Sequence, residues 1–291
     1  MTDQPPTIPA APIAVIGATG QQGGAVVAAL RHRGAPVRAI ARDPGKVAGI
    51  GERGAELAVA DLDDREALRR AFDGVAAVFA MTTMTGPSGT DGEVAHGRAI
   101  ADAARAARVP HLVYSSVGGA ERNTGIPHFE SKWQVEQSLH EAGVPTVVIR
   151  PTFFMDNFLS LFTPATEGDS VVVRAPLVPG VPLQMIAVED IGKAAATALL
   201  QSAAVPGGAV EIAGDERTPE AIADAVGAEQ KLPARFEPLP IDAVGDDDAE
   251  AMFRWFTELP AYLADMERTR ALVGELIDFP AFLARHPLRA T

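Results

Sequence analysis

The chain has 291 residues, 47% of them hydrophobic, no cysteine, and a formal net charge of −13 from 38 acidic and 25 basic side chains. That length suits one large domain or two small ones and buries roughly three quarters of the unfolded surface. The missing cysteines exclude disulfide frameworks, thiolate metal sites and cysteine nucleophiles, no apolar run approaches the ~18 residues of a membrane span, and the acidic excess disfavours nucleic acid and anionic membrane as partners.

Residues 1–12, M-T-D-Q-P-P-T-I-P-A-A-P, have neither the basic nor the apolar segment of a secretory signal. They read as a flexible tail, and a cytoplasmic location is expected. The first strand, Ile13–Ile16, runs straight into Gly17, Gly20 and Gly23 and then a helix over Gly24–His32. Strand, glycine turn and helix in this order suit a dinucleotide pyrophosphate. Gly17 makes the tight turn, Gly20 lets the backbone approach the phosphates, and Gly23 lets helix and strand pack closely. The helix N-terminus then offers N–H groups and positive potential to the anion, and Thr19 and Gln22 are expected beside it. The spacing is G-x-x-G-x-x-G, so its strand-and-helix context carries the argument.

Strands then alternate with helices. Strands are predicted over Val37–Ala41, Leu57–Ala60, Ala76–Met81, His111–Tyr114 and Thr146–Ile149; helices over Asp64–Phe72, Glu93–Arg105 and Ser131–Glu141. This is the pattern of an α/β fold, a Rossmann-type doubly wound parallel sheet. Residues 13–155 form that domain. Residues 156–291 form a smaller α+β substrate-side part, partly intertwined with it. Its strands are predicted at Ser170–Val173, Met185–Val188 and Ala209–Ile212, and its helices at Asp190–Gln201, Pro219–Val226, Ala249–Leu259 and Ala261–Leu276. The stretch 85–92, T-G-P-S-G-T-D-G, reads as a mobile lid or a long loop, and Asp246–Asp248 as a solvated loop.

Arg42 sits about 20 residues past the glycine turn, where an acidic side chain would otherwise take the ribose hydroxyls. Arg38 and Lys46 flank it. A guanidinium suits a 2′-phosphate, so NADP(H) is the expected cofactor. Surface charge on alternate strand positions is the competing reading, and Asp43 argues mildly the other way. Asp61 and Leu62, at the end of the third strand, suit the adenine amino group and ring. Asp61 equally suits a helix N-cap, a role open to Asp63 and Asp64 as well.

Taken in order, G-A-T-G-Q-Q-G-G, V-R-A-I-A-R-D-P, V-Y-S-S-V-G, H-F-E-S-K-W-Q-V-E and R-P-T-F-F-M-D-N resemble the NmrA-like group of atypical short-chain dehydrogenases. The motifs span residues 13–157, with weaker echoes at 188–192 and 213–218. The resemblance implies a Rossmann domain binding NADP(H) and a small substrate-side domain. It also implies one of two activities. One is NADPH-dependent reduction of a quinone, enone or carbonyl compound; the other is non-catalytic sensing of the NADPH/NADP⁺ ratio, read out on a protein partner.

Ordinary short-chain dehydrogenases use Tyr-x-x-x-Lys. Here Gly118 and Met266 stand four residues after Tyr114 and Tyr262, so the motif is absent. His128-Phe-Glu-Ser-Lys132 stands in its place, with His128 and Lys132 one helical turn apart. Lys132 is expected at the nicotinamide ribose. His128 suits proton transfer or a plain helix start. Ser115 or Ser116 suits a substrate carbonyl, or a polar strand end lining the cofactor. Thr82 and Thr83 are expected at the nicotinamide ribose with Met84 beside the substrate. Trp133, Phe154 and Asn157 suit an apolar substrate pocket. The six histidines have no metal-ligand spacing, so no metal is expected.

Overall fold

In the computed structural model, residues 8–43, 45 and 55–288 are described. The central sheet runs through β1 (Ile13–Ile16), β2 (Val37–Ala41), β3 (Glu56–Val59), β4 (Ala77–Met81), β5 (Leu112–Ser115), β6 (Thr146–Pro151) and β11 (Ala209–Ile212). Their spatial order is β11-β6-β5-β4-β1-β2-β3, parallel in every pairing. From β1 the chain runs outward to β2 and β3. It then crosses back to β4 on β1's other side, and this reversal opens a crevice at the strand carboxyl ends.

Helices cover both faces. α1 (Gln21–His32) and α5 (Val188–Leu200) pack on one, over a core that includes Val15, Val26, Leu30, Ile149 and Ile191. The two helices approach closely at Gly192, where a Cβ would lie 2.6 Å from the Ala25 carbonyl carbon. α2 (Arg65–Ala71), α3 (Gly89–Ala106) and α4 (Pro127–Glu141) cover the other face. Leu68, Ile100, Tyr114 and Leu139 pack there. The second half of the chain thus supplies α5 and β11 to the Rossmann layers.

The remainder builds two small sheets. One has the order β12 (Asp215–Arg217), β10 (Leu183–Ile186), β7 (Phe153–Phe154); the other β13 (Ala234–Pro238), β9 (Ser170–Ala175), β8 (Ala165–Glu167). With α6 (Pro219–Gln230), α7 (Asp247–Trp255), α8 (Met266–Val273) and α9 (Phe279–Arg285) they enclose a third core, rich in Phe153, Phe158, Phe253, Phe256, Phe279 and Phe282. Among the described residues no helix is long and apolar enough to cross a membrane.

Several boundaries differ from expectation for local reasons. α3 starts at Gly89 and absorbs half of the stretch read as a lid or loop. α4 starts at Pro127, whose missing N–H costs nothing at a first helical position. The helix expected over Ala261–Leu276 is only Met266–Val273: Asp265 accepts from the N–H groups of Glu267 and Arg268, and Gly274 at φ +83° ends it. Asp246–Asp248 is not a solvated loop. Asp246 caps α7 through the Ala249 N–H, and Asp248 lies within the helix. β13 and α9 were not expected. β13 is a five-residue strand with no clean alternation, and α9 is a seven-residue helix started by the Asp278 cap and a proline.

Candidate functional site

A cavity of about 400 Å³ lies over the carboxyl ends of β1, β2, β3 and β4. Its floor is the glycine turn. Gly17 holds φ +66°, a left-handed conformation that suits glycine. Its carbonyl accepts from the Gly20 N–H at 2.8 Å. A Cβ on Gly23 would lie 2.2 Å from that carbonyl oxygen, so only glycine lets α1 sit this close to the turn. α1 begins after Gly20 with no capping side chain, which leaves first-turn N–H groups for a ligand. Gly17, Thr19, Gly20 and Gln22 all line the cavity. Gly23 does not, and acts through packing.

At the β2–β3 end the lining includes Arg42, Asp61, Leu62, Asp63 and His96. The helix cap is Asp64, whose carboxylate accepts from the Ala67 N–H at 2.9 Å, so Asp61 is not needed as one. Asp61 instead accepts from the Asp63 N–H at 3.0 Å. His96 on α3 places Nε2 3.1 Å from the Asp63 carboxylate. Arg38 corrects an expectation. It pairs with Glu56 at 3.0 Å and donates to the carbonyls of Ala71 and Asp73 at 3.0 and 2.7 Å. Arg42 follows Arg38 by four positions, about 13 Å along the sheet, so the two serve opposite ends of β2. Lys46 lies outside the described residues.

At the β4–β5 end a buried polar network forms. Glu93 on α3 is 1% exposed. Its carboxylate meets Lys132 Nζ at 2.8 Å and accepts from Ser131 Oγ at 2.5 Å and Thr82 Oγ1 at 3.0 Å. Lys132 Nζ also donates to the Thr82 carbonyl at 2.5 Å. The Tyr114 hydroxyl lies 2.8 Å from Thr82 Oγ1. Burial works to raise the Glu93 carboxyl, but the Lys132 ammonium and the three hydrogen bonds outweigh it and hold the group below its ordinary value. Burial, reinforced by the Glu93 charge, pushes the Tyr114 phenol well above its ordinary value. Thr82 lines the cavity; Lys132 does not, and meets it through its contact with Thr82.

Other expected residues are dispersed. Ser115 Oγ donates to the Gln22 side chain at 2.6 Å, tying β5 to α1. Ser116 Oγ is buried without a hydrogen-bond partner among the described residues. Phe154 lines the cavity beside Thr83 and Thr85. Met84, Trp133, Asn157 and His128 do not. Met84 is exposed, and Trp133 faces a separate groove, with the Arg150 guanidinium 5.9 Å from its ring. Asn157 sits in the short turn Met155–Leu159. His128 turns toward Asp248 on α7, with Nδ1 2.5 Å from the carboxylate. Helix geometry put His128 and Lys132 on one face, but α7 draws the imidazole away.

Glu93 and His96 were missed. Their spacing to Ile100, i, i+3 and i+7, marks one inward face of α3, and two polar residues on an otherwise apolar face were the available signal.

The chain matches the profile of the NmrA-like family over residues 9–274. It is 35% identical over 237 residues to a (4-alkanoyl-5-oxo-2,5-dihydrofuran-3-yl)methyl phosphate reductase of Streptomyces griseus, covering 79% of this chain and 78% of that one. Among solved structures, an NADPH-dependent quinone oxidoreductase of Escherichia coli, in complex with NADPH, aligns with TM-score 0.79 at 22% identity, over 95% of this chain and 100% of that one. The negative transcriptional regulator NmrA, in complex with NAD, aligns with TM-score 0.79 at 21% identity, over 96% and 95%. With the glycine turn, the seven-stranded parallel sheet and this match along most of its length, the chain belongs to the NmrA-like family.

Proposed function

We propose that the chain binds NADP(H) in the crevice and reduces a small apolar quinone, enone or carbonyl compound. The observation that carries this reading is the glycine turn beneath an uncapped α1 N-terminus, opening into a cavity with Arg42 at its far end. It fits a dinucleotide on two counts. A Cβ on Gly23 would collide with the turn, and among the described residues no side chain caps the first-turn N–H groups. The similarity to a curated reductase supports the same reading.

Bound NADPH supplies the hydride. The chain's residues do the rest. N–H groups of α1 hold the pyrophosphate, Arg42 holds the 2′-phosphate, Asp61 and Leu62 take the adenine, and Lys132 meets the nicotinamide ribose. Phe154 walls the acceptor side. A quinone or enone spreads the developing charge over its conjugated oxygen, so water suffices as the proton source and the absent Tyr-x-x-x-Lys is tolerated.

A second reading is a dinucleotide sensor acting on a protein partner, and one observation favours it. Among the described residues, the titratable ones lining the cavity are Arg42, Asp61, Asp63 and His96, all from the β2–β3 side, and none lies on the acceptor side. For such a sensor, NADPH and NADP⁺ must differ in affinity for two conformations.

The test is NADPH consumption against quinones, enones and aldehydes, with Lys132→Ala as the blank. Turnover well above that blank supports the reductase. Tight NADPH binding without turnover across the panel favours the sensor.

A further inference from the structure

We infer that Glu93 is a positioning residue for the dinucleotide: it fixes the Lys132 ammonium at the end of β4, where that cation meets the nicotinamide ribose. The inference rests on the proposed role of Lys132 and adds to it a residue on another element.

The geometry is specific. A carboxylate at 1% exposure is costly unless paired and hydrogen-bonded. Glu93 is fully provided for, and its one ion-pair partner among the described residues is Lys132. The ammonium has three hydrogens. One meets Glu93 and one the Thr82 carbonyl, at 2.8 and 2.5 Å. Thr82 Oγ1, at 3.4 Å, is too distant to hold the third firmly. One N–H therefore remains for a ligand, on a cation with little freedom to wander.

The hydroxyls reinforce this. Thr82 gives its single hydrogen to Glu93, so at the 2.8 Å contact Tyr114 must be the donor and Thr82 the acceptor. The order is Tyr114 to Thr82 to Glu93, with Ser131 and Lys132 also donating to the carboxylate. The hydroxyl hydrogens of Tyr114 and Thr82 thus each have one acceptor, and Thr82, between the phenol and the carboxylate, lines the cavity. Such an arrangement holds Lys132 in its binding geometry before the ligand arrives, which lowers the ordering cost of binding.

The test uses the full-length protein and two ligands. NADPH carries the nicotinamide ribose; 2′,5′-ADP carries only the adenosine half and its phosphates. Affinities are measured by fluorescence and calorimetric titration for wild type, Glu93→Gln, Lys132→Met and the double variant. Glu93→Gln is expected to weaken NADPH about tenfold, the usual effect of losing a charged hydrogen bond, and to leave 2′,5′-ADP within about twofold, inside the few tenths of a kcal/mol expected of an uncoupled site. The double variant is expected to bind NADPH no more weakly than Lys132→Met, because Glu93 acts through Lys132. Glu93→Asp is expected to recover part of the loss.

Unchanged NADPH affinity in Glu93→Gln overturns the proposal, and so does an equal loss of both ligands, the mark of a merely structural role. If Glu93→Gln alone does not melt cooperatively, the double variant still decides, since removing both members leaves no unpaired charge. Equal NADPH affinity in it and Lys132→Met supports the proposal; a further loss overturns it. A different result overturns the reading beneath it: Lys132→Met binding NADPH as tightly as wild type, or wild type binding neither ligand.

Discussion

His128 and Asp248, 120 residues apart, meet twice: the imidazole Nδ1 lies 2.5 Å from one carboxylate oxygen, and the His128 backbone N–H donates to the other at 2.7 Å. Asp248 thereby serves the exposed first turn of α4 as a cap borrowed from α7, and it ties the Rossmann layer to the C-terminal helices. Burial works to raise the Asp248 carboxyl, but its hydrogen bond and attraction to His128 prevail and hold it below its ordinary value. A carboxyl depressed in the fold stabilises above its unfolded value, about 3.9, and that contribution fades as pH falls through the lower folded value. Asp248→Asn is therefore expected to cost about 1.5 kcal/mol near neutral pH. In denaturation series at decreasing pH, the gap to wild type should close below about pH 4, the ordinary carboxyl range. A gap that stays constant into acid would refute the ionic origin of the contact.

Gly20 and Gly23 look alike in the sequence and differ in space. A Cβ on Gly23 meets the Gly17 carbonyl oxygen at 2.2 Å, and both sides of that contact are backbone. On Gly20 the same atom is met at 3.3 Å, which a shift of a few tenths of an ångström relieves. Gly23→Ala is expected to lose about 1–3 kcal/mol as α1 is forced off the turn, with NADPH affinity falling alongside. Gly20→Ala is expected to keep near-wild-type stability and lose mainly NADPH affinity, because its methyl group would crowd the phosphates of a dinucleotide bound as proposed. Urea denaturation and NADPH titration of the two variants separate these effects.

The parts of this molecule legible in the sequence are those fixed by neighbours along the chain. β1, β2 and β11 lie where the apolar runs predict, and the glycine turn has the expected form. Contacts between distant segments were not legible. Arg38 lies within β2 and Arg42 just past its end, and only the arrival of Glu56 and the Ala71 carbonyl near the strand's start shows which guanidinium is already engaged. Glu93 shows in the sequence only as a polar residue on the inward face of α3, and what it binds was not legible because its partners come from the end of β4 and from α4. Trp133 and Phe154 are both apolar and near the crevice in sequence, yet α4 turns Trp133 toward Arg150 while β7 presents Phe154 to the cavity.

Tyr114 is a fully buried phenol whose hydroxyl is spent on Thr82. Burial and the Glu93 charge raise it well above its ordinary value; because its hydroxyl is held by Thr82 and it does not line the cavity, it is not placed to stand in for the missing catalytic tyrosine. Tyr114→Phe should leave the Thr82 hydroxyl short of one donor and cost about 1 kcal/mol of stability. NADPH affinity should fall by less than the roughly tenfold expected of Glu93→Gln, because the phenol reaches Lys132 only through Thr82, and any turnover at saturating NADPH should stay near that of wild type. Loss of turnover with unchanged NADPH affinity would instead make the phenol part of the chemistry.

Arg42 and Arg38 offer a matched pair for cofactor choice. Arg42 is exposed and lines the cavity at the end of β2; Arg38 is held by Glu56 and two carbonyls near the start of the strand. If Arg42 holds a 2′-phosphate, Arg42→Glu should weaken NADPH by about 1.5–3 kcal/mol, the worth of a charged hydrogen bond. NADH, lacking that phosphate, should change far less, so the variant's preference should shift toward NADH by at least about tenfold, the equivalent of 1.4 kcal/mol. Arg38→Gln should do the reverse: lower the melting temperature by loosening β2 from β3 and α2, and leave the NADPH-to-NADH ratio unchanged. Paired titrations with both dinucleotides on both variants decide the matter. An unaltered ratio in Arg42→Glu would remove Arg42 from the phosphate site, and a shifted ratio in Arg38→Gln would return the phosphate to the start of β2.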